Sequence, residues 1–408
     1  LKSWVLGAVG RVLAEEHGIH SIHGACVEKD GAGILYIAPT GTGKSTSSYG
    51  LIESPRTRFH SDDWVYVRYT FETKDGRRVA PQAVKLAGGR EIRGYRLFGW
   101  IGEHGAGHPD VVASGLDLAN AAVSLPLRDL DLSRPIEAYA YTSEKVFYLR
   151  TNLVENFPPS AYQMLRSNME NVPNVTTAFL QTNGALLDDL VNVVRRAGGD
   201  VAAHFAGMAD GEVRELLARL IAFDNARAML DIARVLPADR VYSNPMEPAR
   251  LGTVILLKRN FDDPVVLETL TPERFMGRLL LGETPEKKRE IAYNAYRAVD
   301  DEVELGFVRA LDQQARAERG GAFRIEHLYQ LYAARPDVPE TLEEEFALFH
   351  VMTQACRCYD LNTILTRDPL VADKKDAVAL TMELIAYAVS AQHEVLLTLE
   401  TYRQAIGR

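Results

Sequence analysis

Cysteine is scarce in this chain, with three residues in 408: Cys26, Cys356 and Cys358. So few thiols exclude a disulfide-stapled secreted scaffold, and a reducing cytoplasmic setting is expected. Cys356-x-Cys358 lacks a second Cys/His pair at zinc-site spacing, so it reads as two helix residues on different faces. Long apolar runs are also missing. The most apolar late segment, 377–391, is interrupted by Glu383 and followed by His393 and Glu394, too short and too charged to span a bilayer. Residues 1–16 read as an amphipathic helix (Val5, Val9, Val12, Leu13), so no signal peptide is expected. Leu1 opens the chain without methionine, which fits either a fragment or the loss of an upstream segment. Nor is there an excess of positive charge. A formal net charge of −9 argues against a nucleic-acid-binding surface spread over the protein.

What is present is ordinary globular material, 47% hydrophobic and 25% charged. The length fits two or three domains, or one α/β domain with insertions, and leaves the oligomeric state open, a homo-oligomer included.

Local patterns divide the chain. Ser21 to Val27, a turn at Lys29-Asp30-Gly31-Ala32-Gly33 and the run Ile34-Leu35-Tyr36-Ile37 read as a strand pair, because Asp-Gly tolerates positive φ. A helix is expected to begin within Gly43–Thr46 and to end near Ile52. Trp64 to Tyr69 reads as a strand, with a hairpin at Thr73-Lys74-Asp75-Gly76. Short strands are expected near 137–150 and helices at about 181–197 and 211–235, the latter capped by Asp210. Gly252 to Leu257 reads as a buried strand. Helix starts follow at Thr271-Pro272-Glu273 and Thr284-Pro285-Glu286. The remainder is expected to be nearly all helical, its last element running from about Asp376 to Ile406.

The segment Ala38-Pro39-Thr40-Gly41-Thr42-Gly43-Lys44-Ser45-Thr46 fits the Walker A pattern. Each residue type has a reason. Gly41 and Gly43 let the loop that Pro39 opens curl so that successive N–H groups, those of Thr40 and Thr42 among them, point at phosphate oxygens. The following helix presents its positive end to the same anion. Lys44 supplies a point charge for the β- and γ-phosphates, and the Ser45 hydroxyl a ligand for Mg2+. Apolar strand, loop and helix-compatible segment follow in the required order.

Asp62-Asp63 comes 18 residues after Lys44, at the head of the next strand. On a regular strand neighbouring side chains point to opposite faces. One carboxylate is therefore expected to orient the cation, and the other to accept the proton of an attacking hydroxyl. His23 opens the strand before the loop and is a candidate for the γ-phosphate side.

Together these pieces resemble the HPr kinase/phosphorylase and phosphoenolpyruvate carboxykinase superfamily. The resemblance runs from His23-Gly24-Ala25 through Gly41-Thr42-Gly43-Lys44-Ser45 to Asp62-Asp63, and then to Glu91-Ile92-Arg93-Gly94. Pro248-Ala249-Arg250-Leu251 is similar to a Pro-Gly-Arg-Asn loop of the same family, and Val254 to Leu257 with Leu281-Gly282-Glu283-Thr284 is closer to the carboxykinase branch. It covers about 20–95 and 240–285.

The resemblance implies an α/β fold: a P-loop core like that of HPr kinase and PEP carboxykinase, with a large insertion and a helical C-terminal region. The segments would be an N-terminal helix (1–20), the first part of the core (21–99), an insertion (100–240), the second part of the core (241–285) and the helical region (286–408). It implies that Asp62 is the base, that Lys44, His23 and Arg250 lie near the transferred phosphoryl group, and that Ser45, Asp62, Asp63 and Glu91 surround Mg2+ or Mn2+.

The expected activity is ATP-dependent transfer of the γ-phosphoryl group to a hydroxyl of a small molecule or a protein serine. GTP or pyrophosphate as donor stays open. A lyase acting on a small oxo-acid, with Lys85 near a second metal, and a nucleotide-binding regulator with little turnover are the alternatives.

Overall fold

Two nearly unbroken apolar runs, Ile34 to Ile37 and Val254 to Leu257, are the centre of the structure, and every one of these residues is at most 1% exposed. Runs without polar alternation suit strands buried on both faces, which is how parallel neighbours are usually covered. The computed structural model describes residues 2–38, 42–52, 54–85, 91–92, 100, 103–104, 112–118, 121–131, 137–141, 146–150, 157–158, 161–162, 175–222, 227–232, 236–242, 248–281, 306, 310, 313–314, 317 and 340–408.

These residues form a mixed α/β protein in two compact units, one of Leu1–Lys145 with Leu236–Arg408 and one of Val146–Val235. In the larger unit helix α1 (Lys2–His17) leads into strands β1 (His20–Lys29) and β2 (Ala32–Ile37), then α2 (Lys44–Ile52), β3 (Thr57–Ser61) and β4 (Trp64–Glu72). Next come β5 (Arg78–Lys85), β6 (Glu91–Ile92), β7 (Val112–Asp117), β8 (Ala122–Pro126) and β9 (Glu137–Tyr141). The smaller unit carries β10 (Val146–Arg150), α3 (Thr177–Arg196), α4 (Gly199–Phe205), α5 (Asp210–Ala222) and β11 (Arg227–Asp231). The chain then re-enters the larger unit with β12 (Ala249–Lys258), β13 (Val265–Thr269), α6 (Pro272–Leu281), α7 (Glu340–Ala355), β14 (Arg357–Asn362), α8 (Lys374–Ser390), β15 (Leu396–Thr398) and α9 (Tyr402–Ala405).

Among the described residues the larger unit has one thirteen-stranded sheet, whose main path is β15-β13-β14-β12-β2-β1-β4-β5-β7-β8. β12 runs parallel to both β2 and β14, while β1 pairs antiparallel with β2. β9 pairs with β4 and also with β12, so the pairings β12-β2-β1-β4-β9 close into a ring. One core cluster joins Ile22, Cys26, Leu35, Ile37, Val254, Leu256 and Cys358 from the sheet to Phe275 and Leu279 of α6 and to Phe346, Phe349 and Met352 of α7. In the smaller unit β10 and β11 pair antiparallel, and Leu187, Val194, Phe205 and Leu217 share a separate core.

Three expectations change. The helix expected over 211–235 ends at Ala222, and 227–231 is strand β11. Within the stretch 100–240, expected as an insertion, β7, β8 and β9 belong to the large sheet, and the smaller compact unit begins at Val146. The C-terminal region is not uniformly helical. β14 lies inside it as a central strand, flanked by β12 and β13, and the element expected from Asp376 to Ile406 ends at Ser390 before β15. Cys358 therefore sits on a strand and not on a helix. The helix start at Thr284 lies outside the described residues. No helix among the described residues is long and apolar enough to cross a membrane.

Candidate functional site

β2 delivers the Walker A segment at its carboxyl end. Gly43 adopts φ 104°, a left-handed conformation that glycine accepts without Cβ strain, and its carbonyl accepts the first helical hydrogen bond from the Ser47 amide at 2.9 Å. α2 thus starts at Lys44, as the sequence leads one to expect. The Lys44 ammonium is buried and donates to the Ala38 carbonyl at 2.6 Å, so the lysine folds back over the strand-to-loop junction. Pro39, Thr40 and Gly41 lie outside the described residues, as does the side chain of Ser45; Thr42 is buried and Thr46 exposed.

The strand register brings the next pieces level with this junction. Gly24 of β1 stands opposite Ile37, and His23 opposite Trp64 of β4. β3 and β4 both run antiparallel to β1 and are separated only by Asp62 and Asp63. The break is a tight turn: the Trp64 amide donates to the Asp62 carbonyl at 2.8 Å, and Asp63 takes φ 65°. A non-glycine residue closing such a turn holds local strain, which concentrates at functional positions. The Gly24 amide donates to the Asp63 carbonyl at 3.3 Å, tying the turn to β1. On its other side Gly24 lies close against β2, where an added Cβ would lie 2.6 Å from the Tyr36 carbonyl oxygen. Junction, Gly24 and acidic turn therefore form one row across three adjacent strands, and two strand spacings put the turn about 10 Å from the end of β2.

Within that row the two carboxylates differ. Asp62 is 2% exposed. The Asp63 carboxylate lies 3.3 Å from His23 Nε2, and the His23 ring packs at 5.8 Å from that of Trp64. The structure thus brings His23 and Asp63 together as a pair.

Arg250, expected near a transferred phosphoryl group, does not share this row. It sits at the opening of β12, where Leu251 stands opposite Gly33, at the far end of β2 from the loop. Five strand residues, at about 3.3 Å each, separate the Gly33 level from Ala38 by roughly 16 Å, and Arg250 precedes Leu251 on β12. Its guanidinium instead meets Glu137 at 3.4 Å, beside Arg78 at 3.0 Å. Burial pushes the Glu137 carboxyl up, but the Tyr139 hydroxyl and Arg78 outweigh it and hold the group below the usual carboxylate range. Glu91 lies in β6, paired with Lys85 of β5, so β1, β4 and β5 intervene between it and β2 in the strand order; its side chain lies outside the described residues. No group of three His, Cys, Asp or Glu side chains that would hold a metal is found among the described residues.

The sequence reading missed the other wall of the loop. β2, β12 and β14 are parallel, so their carboxyl ends open on the same side. In open parallel sheets that is where ligands bind. The Arg259 Nε donates to the Thr363 hydroxyl at 3.2 Å, and that hydroxyl lies 3.4 Å from the Thr42 carbonyl oxygen. Beyond them a cavity of about 220 Å³ extends from Gly43 and Ser47 to Phe261, Thr366 and α8. α8 reaches α2 because residue 50 is glycine: an added Cβ there would meet Met382 Sδ at 2.5 Å. The one local cue in the sequence was an aromatic residue, Phe261, in the polar turn directly after a buried strand.

Fold and site together define a mixed α/β protein with a Walker A segment at the carboxyl ends of parallel strands. No family model matches the chain, and no curated protein matches it significantly.

Proposed function

We propose that the chain is an ATP- and Mg2+-dependent phosphotransferase, a divergent kinase of the HPr kinase/PEP carboxykinase kind, acting on a hydroxyl of a small molecule or a protein serine. The observation that carries this reading is the row in which the Walker A junction and the strained Asp62-Asp63 turn share one level of the sheet. The residues suit a magnesium–triphosphate. Lys44 is already drawn into the junction, and a carboxylate that is almost wholly buried waits two strands away. Magnesium usually keeps several waters and takes one or two carboxylates plus phosphate oxygens, so no three-residue cluster is needed. Ser45 and Asp63 would hold the ion, which would supply neutralisation of charge on the phosphate oxygens, and Asp62 is left as the base.

In this reading the loop amides and Lys44 bind and orient the phosphates. Asp62 accepts the proton of the acceptor hydroxyl as its oxygen forms a bond to the γ-phosphorus. The bond from that phosphorus to the bridging oxygen breaks, and ADP carries away the electron pair. His23 holds Asp63 in place and with it the turn. Three buried free thiols support residence in a reducing compartment, the cytoplasm.

The test is phosphoryl transfer from labelled ATP and Mg2+ into a cell extract, with Lys44→Ala and Asp62→Asn as controls. Transfer that disappears in Lys44→Ala and falls about 10²-fold or more in Asp62→Asn is expected. Unchanged transfer by Asp62→Asn would remove the base from the scheme. Carbon dioxide release from oxaloacetate without transfer would move the reading to a lyase.

A further inference from the structure

We infer that the cavity beside the Walker A segment seats the base and sugar of the phosphate donor, so that the donor is a nucleoside triphosphate and not pyrophosphate. This rests on the phosphotransferase reading and adds to it the direction in which the donor lies. The strand order is the first ground. β12 and β14 flank β2 on one side, while β1 and the Asp62-Asp63 turn flank it on the other. A triphosphate laid over the loop with its terminal phosphorus toward Asp62 must send its other end toward the carboxyl ends of β12 and β14. The cavity lies there, and Thr42, Gly43, Thr46 and Ser47 form one of its walls.

The lining supplies the second ground. Leu365, Ala377 and Val378 give apolar surface, and the hydroxyls of Thr363, Thr366 and Thr381 give sparse hydrogen-bonding points. Such a mixture suits a neutral planar heterocycle. Among the described residues no carboxylate lines the cavity, and Arg259 is its one charged group. Phe261 lines the mouth with 45% of its surface exposed, which brings an aromatic ring to the lining. The seat is held to the phosphate end by the close contact of Gly50 with Met382, which also lines it.

Calorimetric titration with Mg-ATP and with Mg-tripolyphosphate separates the two halves of the donor. Phe261→Ala and Thr366→Trp change exposed positions at the mouth, and Lys44→Ala changes the loop. Base–aromatic stacking is worth about 1–3 kcal/mol, or roughly 5- to 150-fold. Both mouth variants are expected to weaken ATP about tenfold or more while tripolyphosphate binds as before, and Lys44→Ala to weaken both. ATP binding unaltered in both mouth variants, with Lys44→Ala still impaired, would overturn the base seat and leave the phosphotransferase reading standing. Unmodified protein that binds neither ligand would overturn that reading and the seat together.

Discussion

His23 Nε2 stands 3.3 Å from the Asp63 carboxylate, at the point where the β1–β4 pairing gives way to the turn that holds the buried Asp62. The pair braces a turn that costs local strain, and the glycine next to His23 bonds the turn through its amide while lying close against β2. That arrangement and the packing elsewhere in the larger unit yield five measurable outcomes.

Gly24→Ala places a methyl group against the Tyr36 carbonyl oxygen, at 2.6 Å before relaxation. Backbone on one side and a paired strand on the other leave little room to yield. A loss of about 1–3 kcal/mol in denaturant unfolding is expected, as for other overpacked sites. Wild-type stability in Gly24→Ala would mean that β1 and β2 leave room for a side chain at this position.

Gly50→Ala sets α2 against Met382 of α8, and the clash is with a flexible side chain. The double variant Gly50→Ala/Met382→Ala should therefore recover part of the loss. Contacting residues show coupling of about 0.5–3 kcal/mol in such cycles, so strict additivity would count against the α2–α8 contact.

Lys258 is a buried cation with three acidic neighbours, Asp263 at 2.8 Å, Asp360 at 3.0 Å and Glu268 at 3.7 Å. Arg278 also meets Asp360, at 2.8 Å, and Arg274 holds Glu268. Lys258→Met leaves buried carboxylates short of a counter-charge and should cost about 3–5 kcal/mol. The same cluster sets a pH dependence. Burial pushes Asp263 up, but Lys258 and the Val265 amide outweigh it and hold the carboxyl low. Its contribution to stability is therefore complete above the unfolded value of about 3.9 and is lost as pH falls through the lower folded value. Burial pushes Lys258 down, yet Asp360 and Asp263 raise it on balance, so its contribution persists below about 10.4 and fades as pH rises beyond the folded value. Unfolding midpoints in urea across pH 2–5 should fall less steeply for Asp263→Asn than for the unaltered chain. Parallel curves would show that Asp263 does not contribute.

All three thiols are buried and free. Burial pushes Cys356 up to about 12 and raises Cys26 and Cys358 as well. Since the thiolate is the reactive form, an aromatic disulfide reagent at pH 8 should titrate almost none of them in the folded protein and all three after unfolding. Rapid native reaction at Cys356 would contradict its burial.

The sequence by itself determined the local pieces whose causes are local. Asp30-Gly31 made the β1–β2 turn, with φ 53° and 84°, because glycine and aspartate accept that region. Gly43 and the residues after it set the start of α2, and Thr271-Pro272 the start of α6. The unbroken apolar runs marked the two buried parallel strands. Each of these needed only neighbours along the chain.

Tertiary structure decided the rest. β14 carries Asp360 and Asn362, poor strand formers, and they became a central strand because Lys258 and Arg278 neutralise the first and the Asn260 segment bonds the second. Arg250 resembled a functional arginine in its motif, yet the parallel register of β12 on β2 carried it to the opposite end of the strand. The level shared by Gly24, Ile37 and Asp63, and the meeting of Phe261, Thr363 and α8 beside the loop, likewise depend on which strands lie side by side. Spacing along the chain carries no record of that adjacency. It is set only when the sheet chooses its order and register, by burying the strands that can share one core.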